Sequence, residues 1–322
     1  MTRRLVIDSD TASDDCFALL VGLLHPEARL EAVTIVAGNV DFDRQVRNAL
    51  VTIERAGRGG EVPVHPGCRR PLVRERSGSE YVHGDGLGGR AFPDPVQQPS
   101  AEHAVDALLR LAGAAPGEVD VVCIGPLTNL AVAVSRDPEL PHKLRSLWVM
   151  GGVNNGRGNM VPAAEFNFYA DPEAARVVLR AGFNPHIVTW DPTVRQARFG
   201  RPQLERIAAL GTPLSEFFVA VNETSLRYNE RAGIAGSTHP DSLTTMCLLE
   251  PELVTRAAPY HVDVEIHGEL TRGYSVFDWG LPDPWGRPAA EPNATVVEEV
   301  DAAGFAASMS RLLSAGVAPA RQ

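Results

Sequence analysis

Leu5-Val6-Ile7-Asp8-Ser9-Asp10-Thr11-Ala12-Ser13-Asp14-Asp15-Cys16-Phe17 opens the chain with a short apolar run, a turn carrying four carboxylates, and the beginning of a second apolar stretch. The run predicts a buried strand and the stretch from Phe17 a helix. A strand that feeds a helix in an open α/β sheet delivers the intervening turn to the strand's carboxyl end, where such sheets place their ligands. A local reading has Ser13 capping the helix while Asp14 and Asp15 sit on its N-terminal dipole, each contributing about 0.3–1 kcal/mol. That accounts for two of the acids and leaves Asp8 and Asp10 without a role. Four like charges this close call for a cation, and oxygen-only ligands suit a hard ion, Ca²⁺ or Mg²⁺, rather than zinc.

Outward from this segment, short β-rich runs at 30–36, 119–124, 147–150 and 186–190 alternate with helical patterns. That is the βαβ rhythm of a parallel sheet. Helical text then covers 202–228 and 242–249, hairpin-like strands are expected at 261–266 and 274–277, and a closing helix at 302–313. The fold class predicted is α/β, a single large domain over 1–316 with a mostly parallel Rossmann-like open sheet flanked by helices, an antiparallel addition near the C-terminus, and a tail at 317–322. Segments 66–99 and 229–240 are rich in Gly, Pro and charge, the character of functional loops.

With 322 residues, 44% apolar and 22% charged, the composition is that of a soluble globular protein. The net charge of −10 offers no footprint for nucleic acid or an anionic membrane surface. Cys16, Cys68, Cys123 and Cys247 are scattered without CxxC spacing, which suggests a reducing compartment. There is no signal-peptide-like run and no apolar stretch of membrane-spanning length, so the cytoplasm is the expected location.

The expected strands end in Asp10, Gly38-Asn39, Gly125-Pro126-Leu127-Thr128-Asn129, Gly151-Gly152 and Asp191. Parallel strands carry all of these to one rim of the sheet. A polar residue or glycine at a single strand end is an ordinary cap; the same chemistry at five ends points to a shared pocket.

Together these segments resemble the inosine-uridine preferring nucleoside hydrolase family. Asp8 to Asp15 is similar to its DxDxxxDD signature, with Thr11-Ala12 where members usually carry Pro-Gly. Val36-Ala37-Gly38-Asn39, His83-Gly84-Asp85-Gly86-Leu87-Gly88-Gly89, Gly125 to Asn129, Met150-Gly151-Gly152, Ala164-Glu165-Phe166-Asn167 with Asp171-Pro172-Glu173-Ala174-Ala175, and Pro240-Asp241 follow in the family's order.

The resemblance implies hydrolysis of the N-glycosidic bond of ribonucleosides to ribose and free base, with bound Ca²⁺. It implies Asp10, Asp15 and Asp241 as carboxylate ligands, the backbone carbonyl of Thr128 as a fourth, and Asp10 also as the base that activates water. Asp14, Asn39, Asn159, Glu165 and Asn167 match the positions that hold the ribose hydroxyls and the attacking water, where Asp, Asn and Glu supply both donors and acceptors. Turn formation after a strand is the alternative role for Asn39 and Asn167. Phe166 and Tyr228 are candidate lids or stacking faces for the base, although an aromatic at helical spacing also serves a core. The family's habit implies a homodimer or homotetramer and a small-molecule ribonucleoside as partner.

One departure concerns the leaving base. Many members carry His immediately before the last metal Asp; here that place is Pro240, with His239 one residue earlier. Either His239 turns inward and substitutes, or the base leaves with help from His83 or from aromatic stacking. Two other readings stay open. A catalytically idle, calcium-dependent nucleoside- or ribose-binding homologue is compatible with Pro240. A haloacid-dehalogenase-type phosphatase also opens on an apolar run and Asp-x-Asp, but its phosphate needs a cation, and Lys143, the single lysine, precedes its strand.

Overall fold

In the computed structural model the protein is described over residues 2–154, 156–280 and 290–315. The opening run forms β1 (Arg3–Ser9), followed by β2 (Ala28–Ile35), β3 (Val64–Pro66), β4 (Val119–Cys123), β5 (Leu144–Met150) and β6 (His186–Val188). A separate two-stranded antiparallel ribbon pairs β7 (Arg198–Phe199) with β8 (Ser237–Thr238). The main sheet is completed by β9 (Val254–Val264), β10 (Ser275–Asp278) and β11 (Ala294–Val300), in the order β10-β9-β11-β6-β5-β4-β1-β2-β3.

Side chains alternate across this sheet with the period of two that a pleated strand imposes. Leu5 and Ile7 of β1, Val33 and Ile35 of β2, and Val122 of β4 enter one apolar core. Val6, Ala32, Val121 and Cys123 enter the other, on the opposite face. A sheet covered on both faces is the reason the central strands are near-continuous apolar runs.

The chain winds from β1 to β3 in one direction, returns past β1, and continues from β4 to β6 in the other. All of these neighbours pair parallel. The order therefore reverses between β1 and β4, and at such a switch point the two following loops part and leave a crevice. Asp10 leaves β1 at that point and Gly125 follows β4.

The α/β fold, its single domain with a mostly parallel sheet and its antiparallel C-terminal addition are as expected, with local corrections. β6 stops at Val188, and Trp190 begins a helix (Trp190–Gln196) instead of ending a strand. The helical text of 202–228 is two helices, Arg201–Ala208 and Pro213–Arg231, parted by Gly211 at φ +61° with Pro213 restarting the second. β9 and β10 form the anticipated antiparallel pair, while β11, absent from the sequence reading, lies between β9 and β6 and pairs parallel with β6. The closing helix is Ala302–Ser314. The tail placed at 317–322 lies outside the described residues. Among those described, no helix is long and apolar enough to cross a membrane.

Candidate active site and metal centre

Two helices aim their N-termini at one point above the switch. Asp14 and Asp15 occupy the first turn of Ser13–Leu24, and Asp241 the first turn of Pro240–Leu249; the two helices pack together. Carboxylate oxygens of Asp14, Asp15 and Asp241 all lie within 4.8 Å of one another. The turn that delivers them is strained at Ser13, which adopts φ +29° without being glycine. Its amide donates to Gly86 O at 2.7 Å and its hydroxyl meets Ser225 Oγ at 3.1 Å.

Asp10 is wholly buried beside this group. Its Oδ2 accepts the Asn39 amide at 2.9 Å, and its Oδ1 has no hydrogen-bond partner. Glycines leave it room: a Cβ on Gly38 would come within 2.0 Å of Oδ2, and one on Gly125 within 2.8 Å of Oδ1. Asp15 is held from several sides, with Oδ1 accepting from Ser9 Oγ at 2.7 Å and Oδ2 from the Ala12 amide at 3.1 Å and Asn39 Nδ2 at 3.2 Å.

No arginine or lysine among the described residues forms an ion pair with Asp10, Asp14, Asp15 or Asp241. Burial, reinforced by Asp15, raises Asp10 well above the usual carboxylate range. Burial and Asp15 likewise lift Asp14 to about 8, burial lifts Asp15 to about 6, and burial with the charges of Asp14, Asp15 and Asp10 lifts Asp241 well above its ordinary value. A group of acids, Asp10, Asp15 and Asp241 buried and Asp14 half-buried, with one orphaned oxygen and no arginine or lysine beside it is suited to a hard divalent cation. The donor set fits that role.

Asp14 and Asp241 line a cavity of about 740 Å³, large enough for a molecule of nucleoside size, while Asp10 and Asp15 lie off its wall. Asp14, Asn39, His83, Asn159, Glu165, Phe166, Asn167, Tyr228 and Asp241 all line it, so the fold brings together residues from distant parts of the chain. Asn39, Asn159, Glu165 and Asn167 are each held by hydrogen bonds. Ser79 Oγ donates to Asn39 Oδ1 at 2.6 Å, the Phe166 amide to Asn159 Oδ1 at 2.8 Å, and Asn167 Nδ2 to the carbonyls of Ile124 at 3.0 Å and Met150 at 3.1 Å. Glu165 caps the helix Phe166–Ala170, accepting the amides of Asn167 and Phe168, and also accepts that of Gly152 at 2.9 Å; burial raises it to about 7. Tyr228 meets Tyr81 edge to face, with ring centroids 5.7 Å apart. His83, at the end of the short helix Glu80–His83, brings Nδ1 to 3.9 Å from Asp14 Oδ1, and burial lowers it to about 4.

Two expected site residues are placed elsewhere. His239 is fully buried and does not line the cavity; its ring packs among Phe17, Phe199 and Phe218, its Nε2 pairs with Ser237 Oγ at 2.8 Å, and burial lowers it to about 3. A ring directed into an aromatic cluster cannot reach a leaving base. Thr128 lies off the cavity wall, as Asp10 and Asp15 do. It opens the helix Thr128–Arg136, so its carbonyl points along the helix toward the following turn, and its hydroxyl donates to Asp171 Oδ2 at 2.7 Å. Ile124, which follows β4, is a wall residue, and its carbonyl accepts from Asn167 Nδ2.

Asp8, the remaining acid of the opening signature, is structural. Its Oδ1 accepts from Thr34 Oγ1 at 2.6 Å and Asn129 Nδ2 at 2.7 Å, and Asn129 Oδ1 in turn accepts the Cys68 amide at 2.8 Å. The sequence reading missed Ser79, Tyr81, Trp190, Arg198, Asn222 and Ser225 on the cavity wall. Asp191, which the sequence marks only as a strand end, also lines the cavity and accepts the Asn154 amide at 2.5 Å.

Comparison with known proteins gives a consistent result. Residues 5–307 match the family model described as inosine-uridine preferring nucleoside hydrolase. The chain is 35% identical over 308 residues to the pyrimidine-specific ribonucleoside hydrolase RihA of Salmonella schwarzengrund, covering 95% of this chain and 96% of that protein. Among solved structures, a plant nucleoside hydrolase, the PpNRh1 enzyme, superposes with a TM-score of 0.89 at 30% identity, covering 98% of this chain and 100% of that one. A purine-preferring ribonucleoside hydrolase from Gardnerella vaginalis superposes with a TM-score of 0.88 at 27% identity over 97% and 98% of the two chains.

Proposed function

The chain belongs to the inosine-uridine preferring nucleoside hydrolase family, and from that membership we propose that it hydrolyses the N-glycosidic bond of ribonucleosides, using bound Ca²⁺ and Asp10 as the base that deprotonates the attacking water. The observation that carries this reading is the Asp10 carboxylate: buried, clamped on one oxygen by the Asn39 amide, unpartnered on the other, and set beside the acid cluster of a nucleoside-sized cavity.

Asp10, Asp15 and Asp241 would hold the ion, with Asp14 at its edge. When bound, such an ion offsets the mutual repulsion of the carboxylates and acidifies and orients a nearby water. Asp10 accepts the water's proton as the new C1′–O bond forms. The C1′–N bond breaks, its electron pair goes to the base nitrogen, and positive charge spreads over C1′ and the ring oxygen. Fixed carboxylates around the sugar stabilise that charge without having to reorganise. Asn39, Asn159, Glu165 and Asn167 are tied down by their own hydrogen bonds, so they present remaining donors and acceptors to the ribose hydroxyls in preset positions.

Phe166 and Tyr228 supply faces for the base, and His83 is the histidine that remains within the cavity. Assembly as a homodimer or homotetramer and residence in the cytoplasm belong to the same proposal. The family match sets the phosphatase reading aside. A catalytically idle nucleoside binder is the surviving alternative, because Pro240 stands where members often carry an acid. A panel of purine and pyrimidine ribonucleosides assayed for free ribose separates the two: turnover of any of them supports the hydrolase, and binding without release of ribose would establish the idle binder.

A further inference from the structure

With His239 turned away and proline at position 240, the departing base lacks the acid that the motif usually supplies there. The ribbon beside that position carries a different group. Arg198 on β7 pairs in register with Thr238 on β8, and β8 runs directly into Pro240 and Asp241. Arg198 lines the cavity, and its Nε is buried without a hydrogen-bond acceptor. Its side chain has no hydrogen bond or ion pair with any described residue. Arg195, the neighbouring arginine on the wall, is by contrast tied to Glu298 O at 3.1 Å. A guanidinium on the wall of a ligand cavity with no acceptor among the described residues is a donor whose partner arrives with the ligand.

We propose that Arg198 receives the negative charge of the leaving base, so that the base departs as an anion whose carbonyl oxygen is hydrogen-bonded to the guanidinium. This rests on the hydrolase reading and specifies its leaving-group step. As the C1′–N bond breaks, both electrons go to the base nitrogen and delocalise onto the ring carbonyls. The proton taken from water stays on Asp10, and the released anion is protonated by solvent. Arginine itself gives up no proton, since it stays charged at any working pH. The device favours bases that carry a carbonyl conjugated to the glycosidic nitrogen, as in uridine and inosine, because those oxygens accumulate the charge.

The test compares uridine with 4-nitrophenyl riboside, whose leaving group departs as a stable anion unaided, using wild type, Arg198→Leu and Arg198→Lys. Loss of a preorganised donor to a developing oxyanion typically costs about 10²–10³ in turnover. Arg198→Leu is therefore expected to lower kcat/KM for uridine by about 10²-fold while 4-nitrophenyl riboside is cleaved at nearly the wild-type rate, with Arg198→Lys intermediate on uridine. Equal loss on both substrates, or no loss on either, overturns the assignment and leaves the hydrolase intact. A wild-type protein that cleaves neither refutes the hydrolase reading itself, and this inference with it.

Discussion

Asn39 donates its backbone amide to Asp10 Oδ2 at 2.9 Å, across 29 positions of chain, while its side-chain amide reaches Asp15 Oδ2 at 3.2 Å. One residue in the loop after β2 thus aligns Asp10, in the turn after β1, with Asp15, in the first turn of the helix Ser13–Leu24. It fixes which Asp10 oxygen is occupied and leaves the other without a hydrogen-bond partner.

Replacing that oxygen tests the base. Asp10→Asn keeps shape and removes the proton acceptor, and general-base assistance contributes about 10²–10⁴-fold. Turnover should fall by about 10³-fold with ligand affinity largely retained, as read from ribose release and from calorimetric titration with a non-hydrolysable ribose analogue. Wild-type turnover in this variant contradicts the assignment.

The glycines behind Asp10 give a subtler probe. Gly125→Ala places a Cβ within 2.8 Å of Asp10 Oδ1 and must shift the carboxylate. A displacement of about an ångström in a reacting group can cost about 10²-fold. We expect kcat to drop by that order while the circular dichroism spectrum is unchanged; an unaffected kcat would mean that the position of Asp10 is not critical.

Calcium dependence is read by removal and restoration. Treatment with a strong chelator should abolish ribose release, and added Ca²⁺ should restore it. At about 100 times its dissociation constant a ligand stabilises by about 2.7 kcal/mol, so the holoprotein should melt at a measurably higher temperature. Asp241→Ala should retain no stoichiometric metal after gel filtration; one ion per chain in that variant places the site elsewhere.

The two histidines should behave oppositely. His83→Ala removes a cavity-wall group and is expected to lower kcat/KM by about 10²-fold, the low end of acid–base contributions. His239→Leu exchanges a ring packed among Phe17, Phe199 and Phe218 for another apolar group and should keep kcat/KM close to wild type, with the cost appearing in melting temperature. A large kcat loss in His239→Leu with an unchanged melting point contradicts the buried placement as the relevant one.

The central strands were legible because a doubly covered sheet demands uninterrupted apolar runs, as in Leu5-Val6-Ile7. β11 was not, because Glu298 and Glu299 interrupt its pattern; the fold answers them with Arg256 and the hydroxyl of Tyr260. The acid signature was readable by spacing alone, as were the polar residues at the strand ends. The placements of Thr128 and His239 share a cause. Sequence order assigns a residue to a loop, but whether its carbonyl or ring faces the pocket depends on where a helix begins. Thr128 already lies within a helix, and His239 precedes Pro240 with its ring drawn into the aromatic core. Arg198 and Trp190 went unnoticed because nothing in their immediate neighbourhood distinguishes a wall residue from a surface one.

Both acid-bearing helices, Ser13–Leu24 and Pro240–Leu249, are seated on apolar residues such as Phe17, Leu20, Leu243 and Met246 that owe nothing to the ion. Their partial positive ends, each contributing about 0.3–1 kcal/mol per neighbouring carboxylate, ease the crowding of Asp14, Asp15 and Asp241. The receptacle is therefore finished before its guest arrives, and recharging the emptied protein should proceed at the pace of diffusion instead of waiting for the chain to refold.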